Sequence, residues 1–481
     1  MAAATSVPVS PRRAARRLTA ARVMLALLFA LALAHGALYA LLTPPWQAPD
    51  EIAHFEYAWL LGKLGHPLWN ENASPELEQA IIQSLYEYHA WTYVGVPTPA
   101  VPPARLADAP FFGLSRTLTR FSLTYVVYAA AALPWAGAGL IAQLYAMRAV
   151  SVILSAFVVL LTYRLARLVE PRSPALAWGS ALFVLLLPQH AYINSVVNDG
   201  TLAEALATLA IYGVVMIWRH GLRWRWLVVS LVSGGAALLS KTTAVFLLPL
   251  LALAALAVAL RWFSAPGRTA AQRRRAALGL LLAGGLLLAG GAFSLPWLNR
   301  VSSQWQGITA TLQATLGSAG AWWAYLQRLL TGGELGQAGA QTFESFWGYF
   351  GWMVVRLPAP WLTLLAGLTL LALVGWGRRL TAERAERRGV GFYAPVALAA
   401  GLALLVLLAW FISTPLGLEY SQGRYVFGAI APLAVLLVGG WLGLAPRRRQ
   451  GPLLLGLLTV WVVFDAAALL GVLLPYFYRV L

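Results

Sequence analysis

Apolar runs of about 20 residues recur along the chain, separated by short polar or basic stretches. A helix of that length crosses the roughly 30 Å hydrocarbon core of a bilayer. The pattern predicts an all-α polytopic membrane protein with about eleven transmembrane helices, ten to thirteen at the limits. The expected spans are 22–43, 142–163, 175–197, 201–218, 226–240, 243–260, 276–296, 358–377, 391–412, 425–444 and 452–475. The chain divides into a basic N-terminus (1–21), a first span (22–43), a polar, Pro-rich outer loop (44–141), spans two to seven (142–297), a second outer loop (298–357) and the last four spans (358–481). Within the first loop, Phe121–Gly139 is weakly apolar and interrupted by Pro134, so it suits a re-entrant or interfacial piece. Glu76–Trp91 spaces Leu77, Ile81, Leu85 and Tyr88 at helical intervals, and Ala321–Leu330 mixes Trp322, Trp323 and Tyr325 with Gln327 and Arg328. Both read as amphipathic helices, more simply interfacial anchors than substrate platforms.

Charge fixes the orientation. Only 11% of the 481 residues are charged and mean hydropathy is +0.70, which excludes an ordinary soluble domain with about a quarter charged residues. The net charge of +18 would suit a nucleic-acid partner if the cations shared one surface. With the N-terminus inside, however, the inner segments, counting Arg22 at the edge of the first span, hold 24 of the 35 basic residues, opposed only by Glu170, Glu383 and Glu386. Arg219/Arg223/Arg225, Arg273–Arg275, Arg378/Arg379/Arg384/Arg387/Arg388 and Arg447–Arg449 all fall there. The excess therefore follows the positive-inside rule, and no nucleic acid is expected. The lack of cysteine excludes disulfides, thiolate metal sites and Cys nucleophiles. There is no P-loop, GxGxxG or HExxH motif, and the inner loops are too short for a nucleotide-sugar domain.

Several polar residues then call for a reason. In Pro49-Asp50-Glu51-Ile52-Ala53-His54-Phe55, a helix starting near Pro49 could put Asp50, Glu51 and His54 on one face. Two carboxylates beside an imidazole supply a general base, or ligands for a divalent cation such as Mg2+ or Mn2+. Acids in a first helical turn also simply complement the helix dipole. Gln189, His190 and Asn194 fall in an apolar span, followed by Asn198 and Asp199, with Glu204 further on. Polar groups at such depth are costly and often functional, although Asn198-Asp199-Gly200 also makes a good turn and helix cap. Lys241, one of two lysines, sits at the outer end of a tight helix–helix turn. There it could snorkel to headgroups or meet a phosphate oxygen. Arg424, in Glu419-Tyr420-Ser421-Gln422-Gly423-Arg424-Tyr425, could clamp a lipid phosphate or pair with Glu419. Arg148 and Asp465, inside spans, could pair with each other or with backbone carbonyls.

In this order these stretches resemble the GT-C superfamily of integral-membrane glycosyltransferases, of the protein mannosyltransferase and aminoarabinose transferase type. More narrowly, the chain is similar to a bacterial family of predicted membrane proteins. The matching stretches are Pro49-Asp50-Glu51…His54-Phe55, Leu187-Pro188-Gln189 with Asn198-Asp199, Ser240-Lys241-Thr242-Thr243, Ser345-Phe346-Trp347-Gly348-Tyr349-Phe350-Gly351-Trp352 and Gln422-Gly423-Arg424-Tyr425. The resemblance implies that Asp50, with Glu51 and His54 beside it, activates an acceptor or binds a metal, and that Asp199 is the second-loop acid. It further implies that Lys241, Arg424, Gln422 and Tyr425 hold a sugar-carrying polyprenyl phosphate, with Gln189, His190, Asn194 and Asn198 lining the pocket. The expected protein sits among the lipids of a bacterial cytoplasmic membrane with its active site on the outer face. There it would move a sugar to an envelope glycan, lipid or protein. The rivals are a transporter or flippase of lipid-linked sugars and a non-catalytic envelope assembly protein.

Overall fold

A computed structural model describes residues 11–68, 74–113, 121–263, 269–271, 274, 318–386, 390–413 and 421–478. The expected span 276–296, much of the second outer loop, and Glu419 and Tyr420 lie outside the described residues.

The described chain is almost wholly helical. Helix α1 (Pro11–Leu42) is the first apolar crossing. In the segment after it, α2 (Glu51–Leu64), α3 (Pro75–Glu87), α4 (Ala90–Tyr93) and α5 (Leu123–Ala132) are too short to cross a bilayer. The chain continues with α6 (Leu140–Val169), α7 (Pro174–Leu185), α8 (Pro188–Ile193), α9 (Gly200–His220), α10 (Trp224–Ser240) and α11 (Leu247–Phe263). After two further helices, α12 (Ala319–Thr331) and α13 (Glu334–Trp347), a small hairpin pairs Tyr349 with Arg356 and Phe350 with Val355. Helices α14 (Ala359–Glu386), α15 (Ala394–Ser413), α16 (Ile430–Gly443), α17 (Gln450–Ala468) and α18 (Leu474–Tyr478) complete the described chain. Among the described residues, six helical stretches are long and apolar enough to cross a membrane by themselves, and shorter apolar helices pack among them. The lipid-facing side is visible as exposed apolar rows, such as Leu370, Leu373 and Val374 on α14 and Leu455, Val462 and Val463 on α17.

Two expectations are corrected. The span expected at 175–197 is not one helix: it breaks after Leu185 and restarts at Pro188. Proline has no N–H to continue the ladder and pushes the preceding residue out of helical geometry; Leu187 is accordingly extended. The second concerns Glu76–Trp91, which forms a helix as expected, begun by Ser74 accepting the Leu77 N–H. Its apolar face is not an interfacial anchor, because Leu77, Ile81 and Leu85 are buried in a protein core with Trp46, Phe55, Trp91, Phe112 and Tyr128. This core, centred on the segment that follows α1, is distinct from the larger one among the long helices. Phe121–Gly139 is the short helix α5 followed by a 3-10 turn containing Pro134, packed against α2 and α6.

Close helix packing uses small residues. A Cβ on Gly375 would clash with the Gly440 carbonyl oxygen, so α14 and α16 meet backbone to backbone. The charged groups Asp465 and Glu170 are both paired. Asp465 accepts from the Tyr39 hydroxyl at 2.7 Å and lies 2.8 Å from His35 Nε2, tying α17 to α1. Arg148 and Asp465 therefore do not pair with each other. At the C-terminal end of α6, Glu170 gathers Arg379 at 3.2 Å and the Tyr393 hydroxyl at 2.6 Å.

Candidate functional site

The opposite end of the bundle carries the charged residues singled out above. The chain leaves α1 through a sharp bend in which Trp46 and Asp50 both adopt positive φ (68° and 65°). Asp50 occupies the N-cap position of α2, but its side chain makes no capping hydrogen bond. Its carboxylate instead accepts from Arg424 Nη2 at 3.1 Å, 374 positions along the chain. One turn into α2, His54 presents Nδ1 to the Tyr125 hydroxyl at 2.7 Å and Nε2 to Asp199 at 4.0 Å. Asp199, at the start of α9, is 2.6 Å from Lys241 Nζ at the C-terminus of α10. Lys241 and Arg424 both approach the Tyr425 ring, at 5.9 and 5.4 Å from its centroid. Asp50, His54, Asp199, Lys241, Arg424 and Tyr425 thus converge on one cluster. Gln422, half-buried, opens the turn that leads to it.

Glu51 turns away from this cluster, and the expectation that it shares a face with Asp50 and His54 is corrected. It is wholly buried and bidentate to Arg148, whose Nε and Nη2 donate at 2.8 and 2.7 Å. It also accepts the backbone N–H of Trp46 and of Val197, each at 3.1 Å. Arg148 gives its remaining N–H groups to the carbonyls of Ala40, Thr43 and Pro44, the backbone alternative expected for it. The cause is position: Asp50 is bent outward by its left-handed backbone, so the next side chain points into the protein. Glu51 is a positioning residue. It fixes the bend carrying Asp50 on one side and the 196–199 turn carrying Asp199 on the other.

The expected pocket residues are likewise committed to internal bonds. Gln189 Oε1 accepts from the Tyr349 N–H at 2.8 Å, holding the hairpin. His190 and Asn194 bind the two oxygens of Glu204 at 2.6 and 3.0 Å in a closed, buried group beneath the surface. Asn198 donates to the Ile193 carbonyl and accepts from the Gly200 N–H, shaping the turn at whose end Asp199 sits. Among the described residues no three His, Asp or Glu side chains are grouped to hold a metal ion. Asp50 is engaged by Arg424, Glu51 by Arg148 and His54 Nδ1 by Tyr125, so these three do not fit a shared divalent cation.

Sequence reasoning missed several supports. Tyr125 binds His54, while Tyr128, bonded to Ser151 at 2.6 Å and to the Asn198 carbonyl at 2.9 Å, holds the second turn. The spacing Ser122, Tyr125, Tyr128 is the signal that was available: one helical face of hydroxyls in a weakly apolar piece. Two glycines matter for closeness rather than flexibility. A Cβ on Gly200 would meet Asn198 Oδ1 at 2.9 Å and Lys241 Nζ at 3.2 Å. A Cβ on Gly423 would meet the Phe346 nitrogen at 2.4 Å, and the Gly423 N–H donates to Ser345 Oγ at 2.8 Å. The Ser345-Phe346 end of α13 therefore seats the loop that delivers Arg424.

Electrostatics complete the site. Burial lowers the pKa of His54 and outweighs the pull of Asp199 and Asp50, with Lys241 and Arg424 adding to the lowering, so the imidazole is neutral near pH 7. Burial pushes the Asp199 carboxyl up, but Lys241, His54 and Arg424 together hold it below the usual carboxylate value. Two carboxylates, two cations and a neutral imidazole make a cluster that can hold an anionic group and accept a proton.

The fold and the site together define a polytopic, all-α membrane protein with a charged cluster at one end of its helices. Residues 33–437 match the model of a family described as predicted membrane protein (DUF2142), and the chain belongs to that family. The matched region contains every residue of the cluster. No curated protein matches the chain.

Proposed function

We propose that the protein is a membrane glycosyltransferase of GT-C type. It moves a sugar from a polyprenyl-phosphate carrier to an envelope glycan, lipid or protein at the outer face of a bacterial cytoplasmic membrane. The observation that supports this most is the meeting of Asp50, His54, Asp199, Lys241 and Arg424 from four separate parts of the chain. In the reaction the acceptor hydroxyl loses its proton to a carboxylate, and its oxygen bonds to the anomeric carbon. The bond from that carbon to the phosphate oxygen breaks, and the electron pair leaves with the phosphate. Lys241 and Arg424 would stabilise that developing charge as fixed cations. Asp50 is the preferred base, being the more exposed of the two acids.

The test is sugar transfer by purified protein supplied with a polyprenyl-phosphate sugar and candidate acceptors. Asp50→Ala should lower turnover by about two orders of magnitude or more while the protein still inserts and melts normally. Near-normal turnover would remove Asp50 from the chemistry. Failure of wild-type protein to release polyprenyl phosphate with any acceptor would sink the reading itself.

A further inference from the structure

Both cations of the cluster already have carboxylate partners. Arg424 reaches Asp50 and Lys241 reaches Asp199, and with His54 neutral the four charges cancel. A self-neutralised cluster exerts little pull on an anion. The pairing is nevertheless incomplete. The Asp50–Arg424 contact is a single bond, unlike the two-pronged grip of Arg148 on Glu51. Arg424 Nε is buried without a hydrogen bond among the described residues, and so is Ser421 Oγ three positions earlier. Buried donor groups left unmade favour an incoming acceptor, and a phosphate offers several oxygens where one carboxylate oxygen now serves.

We infer that a phosphate enters this site by exchange: it takes Arg424 from Asp50 and Lys241 from Asp199, and thereby releases the two carboxylates to act as bases. The inference rests on the glycosyltransferase reading and adds an order of events to it. A carboxylate beside a guanidinium or ammonium is a weak base because the neighbour stabilises its charge. For Asp199, the pull of Lys241 holds the carboxyl low against a burial effect that acts in the opposite direction. Once phosphate occupies the cations, burial is no longer opposed to the same degree and the carboxylate binds a proton more readily. The empty site is consequently a poor base, and it becomes a good one only when the leaving group is in place.

The decisive experiment measures equilibrium binding of radiolabelled farnesyl phosphate, carrying no sugar, to the full chain in phosphatidylcholine nanodiscs. Neutralising a competing carboxylate should free its cation, so Asp50→Asn and Asp199→Asn should each bind about tenfold tighter than wild type. Asp50→Glu, which keeps the competing charge, should stay within about twofold. Equal or weaker binding by both Asn variants overturns the exchange; should one variant not fold, the other decides. A parallel arm with phosphatidic acid identifies the source of the phosphate. Tightening there as well supports exchange with a phospholipid headgroup, and tightening only with farnesyl phosphate supports an isoprenyl carrier. If the Asn variants bind tighter while wild type transfers no polyprenyl-linked sugar, the exchange stands and the glycosyltransferase reading falls. Sugar transfer by wild type without tightening in the variants removes the exchange and leaves the glycosyltransferase reading standing.

Discussion

Asp50 and Glu51 are neighbours in sequence, each faces an arginine, and they end in opposite circumstances. Glu51 is wholly buried, both its oxygens are shared between Arg148 and two backbone N–H groups, and Arg148 in turn satisfies three carbonyls. Asp50 keeps about a third of its side chain exposed and holds Arg424 through one bond. The first pair is closed on every side, as a buried ion pair must be if desolvation is not to outweigh attraction. The second is open and can change partners. Two like-charged side chains one position apart thus supply a foundation and a working group, and the left-handed backbone at Asp50 is what separates them.

The contrast can be broken at its strongest point first. Arg148→Met leaves Glu51 as an uncompensated buried charge and should destabilise the protein by about 3–5 kcal/mol, seen as a large fall in thermal midpoint in detergent. Adding Glu51→Gln to that variant should recover part of the loss. It should not recover all, because the carbonyls of Ala40, Thr43 and Pro44 still lack Arg148. If the double variant is no more stable than the single one, Glu51 is not the cause of the instability. Next, Gly423→Ala forces a methyl against the α13 backbone and should cost about 1–3 kcal/mol, with phosphate binding reduced through a displaced Arg424. Normal phosphate binding by that variant would separate the α13 seat from the site. The smallest effect belongs to the open pairs. Lys241→Met should cost about 1 kcal/mol near neutral pH. The Asp199 carboxyl is depressed in the folded protein, so the stability it lends is complete above its unfolded value near pH 3.9 and is lost as pH falls through the lower folded value. The difference between wild type and Lys241→Met should therefore shrink in acid below about pH 4. A difference that stays constant down to pH 2 would mean that Asp199 is not what Lys241 stabilises.

Much of this arrangement is legible in the chain itself. Each apolar run within the described residues forms helix, because bilayer thickness and the need to satisfy backbone hydrogen bonds leave few alternatives. Lys241 and Arg424 stand out as cations where the expected orientation disfavours them, Asp50 by its motif with Glu51 and His54, and Asp199 by ending a run of polar residues in an apolar span. Their partners are not legible. Arg148 meets Glu51 across 97 positions and Arg424 meets Asp50 across 374, and no local spacing encodes such contacts. The error at Glu51 has the same origin, since helical periodicity presumes a helix already under way at Asp50, whereas that residue is still in the bend. Amphipathicity marks α3 correctly as a helix but cannot say whether its apolar face meets lipid or protein.

The separation of Asp50 from Arg424 also sets a timetable. A chain emerging at about 5–20 residues per second needs roughly 5–20 s to deliver Arg148 after Glu51, and roughly 20–75 s to deliver Arg424 after Asp50. During biogenesis the foundation around Glu51 can close early, while Asp50 waits for 374 further residues to acquire its partner. A prematurely terminated chain would insert several spans and fold the bend, yet lack the arginine. Completion of the cluster thus reports that the chain has been made through Arg424.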